Sequence, residues 1–155
     1  MKIKNLYFSP VKSLSFNNAD NLEIIKNIGI KNDRIFAFTN NLNLKDIELI
    51  KNNPLKREIY KFLSLKKYPE LNQYNFLLED NFLILEFENK IILKTDIDNQ
   101  YAVKILCSKL EDILPNINKI NLLKDIVNPF FDTMPNKSIS LINLNSLKAV
   151  SYTHL

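Results

Sequence analysis

The sequence predicts a mainly β fold of the α+β class: a small antiparallel β-barrel-like domain with one or two helices. Short apolar runs separated by turn residues make up most of the chain, and this pattern favours strands. One long segment has helical periodicity instead. A hydrophobic fraction of 46% over 155 residues is enough for a buried core.

The N-terminal third begins with three apolar runs, which predict strands over residues 3–8, 22–28 and 35–39. Pro10 ends the first run, Gly29 closes the second, and the pair Asn40-Asn41 supplies a turn after the third. We therefore expect a meander that starts an antiparallel sheet. The polar stretch 44–61 predicts a short helix or an ordered loop inserted between strands.

The remaining chain continues the β pattern, with strands predicted over residues 62–64, 74–78, 82–87, 90–93, 117–123 and 138–142. Glu88-Asn89 between two of these runs indicates a tight hairpin. Residues 98–114 are the clearest helix, because apolar side chains recur every three or four positions. Asp98 or Asn99 can cap this helix and Pro115 stops it. A last helix is expected to start at residue 143 or 145.

Charge and cysteine content narrow the class of protein. The formal net charge of +4 is spread along the chain, so it is a weak signature for nucleic acid. Cys107 is the single cysteine, which excludes an internal disulfide and fits a reducing compartment; we expect it to be buried in the core. No signal peptide or membrane-length apolar run is present, which predicts a cytoplasmic protein without a membrane partner.

Most catalytic machinery is missing from the sequence. The only histidine is His154, and there is one cysteine and one glycine. These counts leave no Ser–His triad, no multi-cysteine metal site and no glycine-rich phosphate loop. The sequence therefore predicts no catalytic residue and no metal ligand.

Two motifs place anion-binding side chains next to strand ends. Residues 7–14 (YFSPVKSL) contain Lys12 and Ser13, and residues 29–36 (GIKNDRIF) contain Arg34. Lysine offers a point charge, arginine a bidentate fork and serine a short donor for phosphate oxygens. If both loops lie at one end of the domain, they form a small anion cradle. Gly29 is the position where we expect a positive φ.

These motifs resemble the N-terminal β-barrel domain of MOSC proteins, the family of the mitochondrial amidoxime reducing component and its bacterial relatives. The shared spacing is Y-x-x-P-V-K-S, then G-[IL]-x-x-D-R-x-F. Residues 62–71 (FLSLKKYPEL) resemble the family's F-L-[ST]-x-R-x-x-P-x-L, with Lys66 at the arginine position. Residues 131–141 (FDTMPNKSISL), with Ser146 and Leu147, are similar to the start of the MOSC domain itself.

The resemblance implies a MOSC N-terminal domain over residues 1–125 and the start of a MOSC β-barrel, truncated before its catalytic part, over 126–155. It implies that Lys12, Ser13, Arg34 and Lys66 help bind the molybdenum cofactor (molybdopterin). It also implies an oxidoreductase or sulfur-handling protein with a redox partner protein; pyridoxal phosphate binding is attributed to the family as well.

Three departures from the family pattern matter. Lys66 keeps the charge of the family's arginine and loses its fork. The stretch 44–61 is longer than expected. The family's metal-binding cysteine, in the downstream MOSC domain, has no counterpart here, so this chain is expected to be a fragment that is inactive alone. Residues 151–155 (SYTHL) resemble a translated sequencing adapter, and we expect truncation near Val150.

Other interpretations remain open. Lys12 and Ser13 can form a solvated turn after Pro10, and Asp33 with Arg34 a surface ion pair. An alternative function is a small basic β-barrel module that binds single-stranded nucleic acid or another anionic partner through lysine and aromatic side chains. A third is a purely structural domain that covers the edge of a catalytic partner.

Overall fold

The computed structural model describes residues 3–57, 61–117 and 119–131. Within these ranges, nine short strands form four small antiparallel sheets, accompanied by two α-helices. The strands are β1 (Leu6–Phe8), β2 (Asn17–Ala19), β3 (Ile24–Ile25), β4 (Gly29–Ile30), β5 (Phe36–Phe38), β6 (Tyr74–Glu79), β7 (Phe82–Phe87), β8 (Lys90–Asp96) and β9 (Leu122–Lys124). The helices are α1 (Leu44–Asn52) and α2 (Gln100–Ile113). The predicted mainly β fold with one or two helices is confirmed, although the described sheets do not close into a barrel.

β5 is the most buried strand. All three of its residues are inaccessible, so it needs partners on both edges as well as on both faces. β9 pairs with it antiparallel along one edge. On the other edge Val11 forms a parallel bridge to Phe36, and Thr39, the residue after β5, bridges to Phe62. The loop that contains Lys12 is therefore tied directly to the central strand.

The predicted N-terminal meander is wrong in its strand pairing. β1 pairs with β2, β3 pairs with β4, and β5 pairs with the distant β9. The apolar run 22–28 supplies β3 and the turn that leads into β4, so it is not one long strand. A strand that is buried on both faces can pair with an apolar strand that is distant in sequence. The turn residues next to it therefore do not indicate its partner.

The strands β6, β7 and β8 form a three-stranded antiparallel sheet, in which β7 and β8 form the predicted hairpin. Glu88 and Asn89, the two-residue loop between β7 and β8, have φ values of 50° and 60°. Positive φ at both loop positions matches the right-handed twist of the flanking strands. Phe76, Leu83 and Leu85 of this sheet are fully buried in the main core.

The helix α2 packs against this sheet and completes the main core. Asn99 caps it, because its side-chain oxygen accepts hydrogen bonds from the backbone N–H groups of Tyr101 (3.0 Å) and Ala102 (3.2 Å). Leu106, Cys107 and Leu110 lie on its buried face. The predicted helix and the predicted burial of Cys107 are both confirmed. The described helices include none long and apolar enough to cross a membrane.

For the stretch 44–61 the sequence predicted a short helix or an ordered loop, and the structure has a short helix there. Asn43 caps α1, because its side-chain oxygen accepts a hydrogen bond from the Asp46 N–H at 2.9 Å. Ile47 and Ile50 lie on the buried face of this helix. A 3₁₀ turn, Pro54–Lys56, follows. The predicted strand 62–64 is reduced to one bridge at Phe62, and 117–123 contributes only the start of β9. The strand and helix predicted after residue 137 lie outside the described residues.

Candidate functional site

The two motif loops lie against each other. We call residues 9–14 the Lys12 loop and residues 29–34 the Arg34 loop. The Ser9 N–H donates to Oδ1 of Asp33 at 2.8 Å, and the Arg34 N–H donates to the carbonyl oxygen of Ser9. Phe36 N–H donates to the Pro10 carbonyl at 3.0 Å, and Lys12 N–H donates to the Phe36 carbonyl at 2.8 Å. These bonds bring Lys12, Ser13 and Arg34 to one end of the domain.

Ser13 and Arg34 both adopt a left-handed backbone conformation. Their φ values are 58° and 53°. Nine non-glycine residues of the described chain have positive φ, and six of them are Asn or Asp, which tolerate it best. Serine and arginine do not, so these conformations are held in place by the surrounding hydrogen bonds. Strained backbone of this kind concentrates at binding and catalytic sites, which makes the two loops the leading candidate site.

Gly29 supplies the positive φ predicted for it, at 111°. A side chain there would be strained by the backbone conformation alone. The position of a Cβ atom on Gly29 would lie 3.8 Å from Cζ of Phe131, an ordinary van der Waals distance. The Phe131 ring therefore lies across the start of the Arg34 loop.

Lys12 is buried, with 3% of its surface exposed. Its Nζ donates a hydrogen bond to the carbonyl oxygen of Phe130 at 3.3 Å and lies 5.9 Å from the centroid of the Phe62 ring. We call residues 128–131, which include this carbonyl, the strap. The ammonium group of Lys12 therefore lies beneath the strap.

Arg34 touches the strap twice while it pairs with Asp33. Its carbonyl oxygen accepts a hydrogen bond from the Phe130 N–H at 2.8 Å, and its guanidinium carbon lies 5.2 Å from the centroid of the Phe131 ring. Its Nη1 donates to Oδ2 of Asp33 at 2.9 Å. The Arg34 side chain is 28% exposed, so it is more accessible than Lys12.

Burial governs the acidity of Asp33. Loss of hydration raises the pKa of its carboxyl above the usual value, while the Ser9 N–H and the Arg34 guanidinium act in the opposite direction. Its two oxygens bind one loop each, Oδ1 to Ser9 and Oδ2 to Arg34. Asp33 thus joins the loops and orients Arg34.

Arg57 is a further cation of this region that the sequence did not single out. Its side chain is 5% exposed, and Nε donates to the Ile50 carbonyl at 3.1 Å. Its Nη1 and Nη2 donate to the Asn128 carbonyl and the Asp125 carboxylate. In sequence it belongs to an unremarkable basic pair within the polar stretch 44–61. A structural cation in such a stretch has no local signal, because its partners lie on a distant part of the chain.

Lys66 and Ser13 complete the predicted site residues. Ser13 is half-buried within the Lys12 loop. Lys66 is exposed on the turn that precedes Tyr68, and no described contact joins it to Lys12, Ser13 or Arg34. The structure therefore joins the two loops that carry Lys12, Ser13 and Arg34, and no described contact connects Lys66 with them.

A concavity lies between α2 and β9, away from the two loops. It has a volume of about 520 Å³ and is lined in part by Lys104, Cys107, Glu111 and Lys124. Burial raises the pKa of the Cys107 thiol to about 11; a hydrogen bond from the Leu122 backbone opposes this and the Glu111 carboxylate adds to it. The thiol is therefore protonated and unreactive at neutral pH.

The residues present fit a molybdenum cofactor in part. Ser13 and Arg34 offer donors of the kind that hold phosphate oxygens, and both retain some exposure. Lys12 reaches the same region only from beneath the strap. The described residues contain no group of three or more His, Cys, Asp or Glu side chains that could hold a metal ion. Their chemistry suits the anionic end of such a group and not its metal.

No family model, curated protein or solved structure matches the chain. Its functional interpretation therefore depends on the two motifs and on the geometry that joins them.

Proposed function

We propose that this chain is the N-terminal, non-catalytic domain of a MOSC-type molybdenum-cofactor protein, an oxidoreductase or a sulfur-handling protein. The supporting observation is the hydrogen-bonded junction of the two motif loops through Asp33. Two segments about twenty residues apart carry the family-like motifs, and the fold joins them. Ser13, in the Lys12 loop, and Arg34, at the junction, are both half-buried and have strained backbone.

In this proposal the residues divide their roles. Arg34 binds the anionic end of the cofactor with the donors of its guanidinium that face away from Asp33, and the Ser13 hydroxyl adds a donor. Lys12 contributes positive potential from beneath the strap, and Lys66 has no direct role. When bound, the cofactor supplies the redox chemistry, while this domain binds and orients its anionic end.

The partners follow from the same proposal. A MOSC domain downstream in the same polypeptide would hold the metal, since the described residues offer no ligand cluster for it. A redox partner protein would deliver electrons, and a cytoplasmic location suits the single free thiol.

Molybdenum retention tests the proposal. The gene, with any coding sequence that continues in frame, is expressed in a host that makes the cofactor, and molybdenum per chain is measured by mass spectrometry. We expect Arg34→Gln to reduce it at least tenfold, because the charged fork is lost. Lys31→Gln is the matched control, since Lys31 lies in the same loop but pairs only with exposed Glu23. Wild-type protein that includes the downstream domain and still purifies without molybdenum or pterin contradicts the proposal.

Single-stranded nucleic acid is the second candidate ligand. Tyr7 and Phe16, on either side of the Lys12 loop in sequence, are 51% and 69% exposed, and exposed rings can stack on bases. A gel shift with single-stranded DNA, at low and high salt, tests it. Binding that weakens steeply with salt and is lost on Phe16→Ser supports this function, and absence of binding at low salt removes it.

A further inference from the structure

The described contacts of the strap are concentrated on Asn128 and Phe130, and few of them involve Phe131. At its start, the Asn128 N–H donates to Oδ1 of Asp125 at 2.8 Å, and Arg57 binds both the Asn128 carbonyl and the Asp125 carboxylate. The Phe130 ring is 2% exposed and lies edge-on to Phe62, with centroids 5.4 Å apart. These contacts fix residues 128–130 in the core.

Phe131 is held differently. Its described contacts are with the Arg34 guanidinium, 5.2 Å from its ring centroid, and with the surface next to Gly29. Its N–H donates to the Pro129 carbonyl at 3.0 Å, a bond within the strap itself. Among the described residues, the Phe131 side chain therefore meets the site through the face of its ring.

An aromatic face is a weak and replaceable partner for arginine. Within the described chain, the guanidinium of Arg34 has one hydrogen-bonded partner, the neighbouring Asp33. A ring face attracts the cation without satisfying its N–H donors. A phosphate group can accept two of those donors at once, and such charge-assisted bonds are stronger than a cation–π contact. An anion and the Phe131 ring therefore compete for Arg34.

We propose that the end of the strap is a lid on the anion cradle, which a phosphate-bearing ligand displaces from Arg34 while Arg57 and Phe130 keep the rest of the strap in place. The inference rests on the anion-binding role of Arg34 in the proposed function, and it adds that Phe131 controls access to Arg34. Phe131 is the moving part, and the backbone between Phe130 and Phe131 is the hinge.

Tryptophan fluorescence of the 155-residue chain tests the lid. The chain has no Trp, so Phe131→Trp reports on the lid alone. With added inorganic pyrophosphate we expect a saturable red shift of emission and greater quenching by acrylamide. Both should disappear when Arg34→Gln is added to Phe131→Trp. The matched control for the position of the tryptophan is Tyr101→Trp, on an exposed position of α2. Sodium chloride at equal ionic strength is the control for the added pyrophosphate.

The outcomes separate the lid from the proposed function. A response that is absent, does not saturate, or is equal in Tyr101→Trp overturns the lid. In the unmodified chain, pyrophosphate should raise amide hydrogen exchange at Phe131 while exchange at Phe130 stays slow; unchanged exchange at both also overturns it. Molybdenum retention without lid release leaves the proposed function intact. Lid release without molybdenum retention leaves the lid intact.

Discussion

The guanidinium carbon of Arg57 lies 4.3 Å from the centroid of the Phe130 ring. This contact joins the polar stretch after α1 to the strap, two segments far apart in sequence. The same guanidinium binds Asp125 and the Asn128 carbonyl, so one side chain satisfies a carboxylate, a backbone oxygen and a ring face. Arg57 is thus the main polar link between the α1 region and the end of the described chain.

Removal of the Arg57 side chain should destabilise the domain more than removal of any exposed cation. Arg57→Ala leaves the Asp125 carboxylate without its charged partner, and the expected loss is about 3 kcal/mol in the free energy of unfolding. Arg57→Lys should lose about half as much, because the charge remains while the fork and the stacking are lost. Urea unfolding followed by circular dichroism measures both. Lys31→Ala, from an exposed pair, should change stability by less than about 0.5 kcal/mol.

Asp33 should make stability depend on pH in a direction opposite to that of an ordinary ion pair. Burial raises its folded-state pKa above 3.8, so the folded chain binds this proton more tightly than the unfolded chain. The free energy of unfolding contributed by Asp33 therefore falls as the pH rises from about 3.8 through the raised pKa. Below both pKa values Asp33 is protonated in the folded and the unfolded chain, so it causes no loss of stability there.

Asp33→Asn removes that titration and serves as the reference. The stability of the wild type relative to this variant should be greatest at acid pH and should decrease towards pH 7. Urea unfolding of both proteins at a series of pH values measures the difference. A difference that grows with pH would show that the Ser9 and Arg34 contacts outweigh burial.

Cys107 should be almost inert in the folded protein. A pKa of about 11 instead of the usual 9.0 lowers the thiolate fraction about 100-fold at pH 8, and burial limits access further. Reaction with a chromogenic disulfide should therefore be at least about 100-fold slower in buffer than in urea, where one thiol per chain reacts. Equal rates in both would contradict the buried position of the thiol.

The strained backbone of Ser13 predicts that glycine at this position gives a more stable protein than alanine, the reverse of their order within a helix. At a φ of 58°, glycine fits better than alanine, so Ser13→Gly should be more stable than Ser13→Ala by about 1 kcal/mol. Both variants lack the hydroxyl, so the comparison isolates the backbone. At Ser108, exposed within α2, the order should reverse by about the same amount, because glycine is the weaker helix former. Thermal unfolding of the four variants provides the measurement.

Locally encoded parts of the fold were predictable. The periodicity of α2, its Asn99 cap and the Glu88-Asn89 turn each depend on residues close together in sequence. The pairing of β5 with β9 was not, because apolar strands carry no mark that identifies a distant partner. The two-residue strands β3 and β4 were missed as a pair for a related reason: two residues are too few to show alternation.

The sequence indicated which residues belong to the candidate site, but it did not indicate which of them are buried. The motifs singled out two loops that the structure joins by hydrogen bonds, and Gly29 has the predicted positive φ. They did not indicate that Lys12 is buried beneath the strap, since lysine is usually exposed. Arg57 was missed because its role depends on Asp125 and Phe130, which only the folded chain brings near.

The distant partner of β5 has a consequence for synthesis on the ribosome. The sheet β6–β7–β8 uses neighbouring segments and can assemble as soon as they emerge, because local contacts form fast. β5, translated earlier, stays without the antiparallel neighbour of one edge until residues 122–124 have been added. During that interval a strand with two buried aromatic rings, Phe36 and Phe38, is open to pairing with other chains. Chaperone demand during translation should therefore be set by β5, and a nascent chain that stops before β9 should aggregate through it.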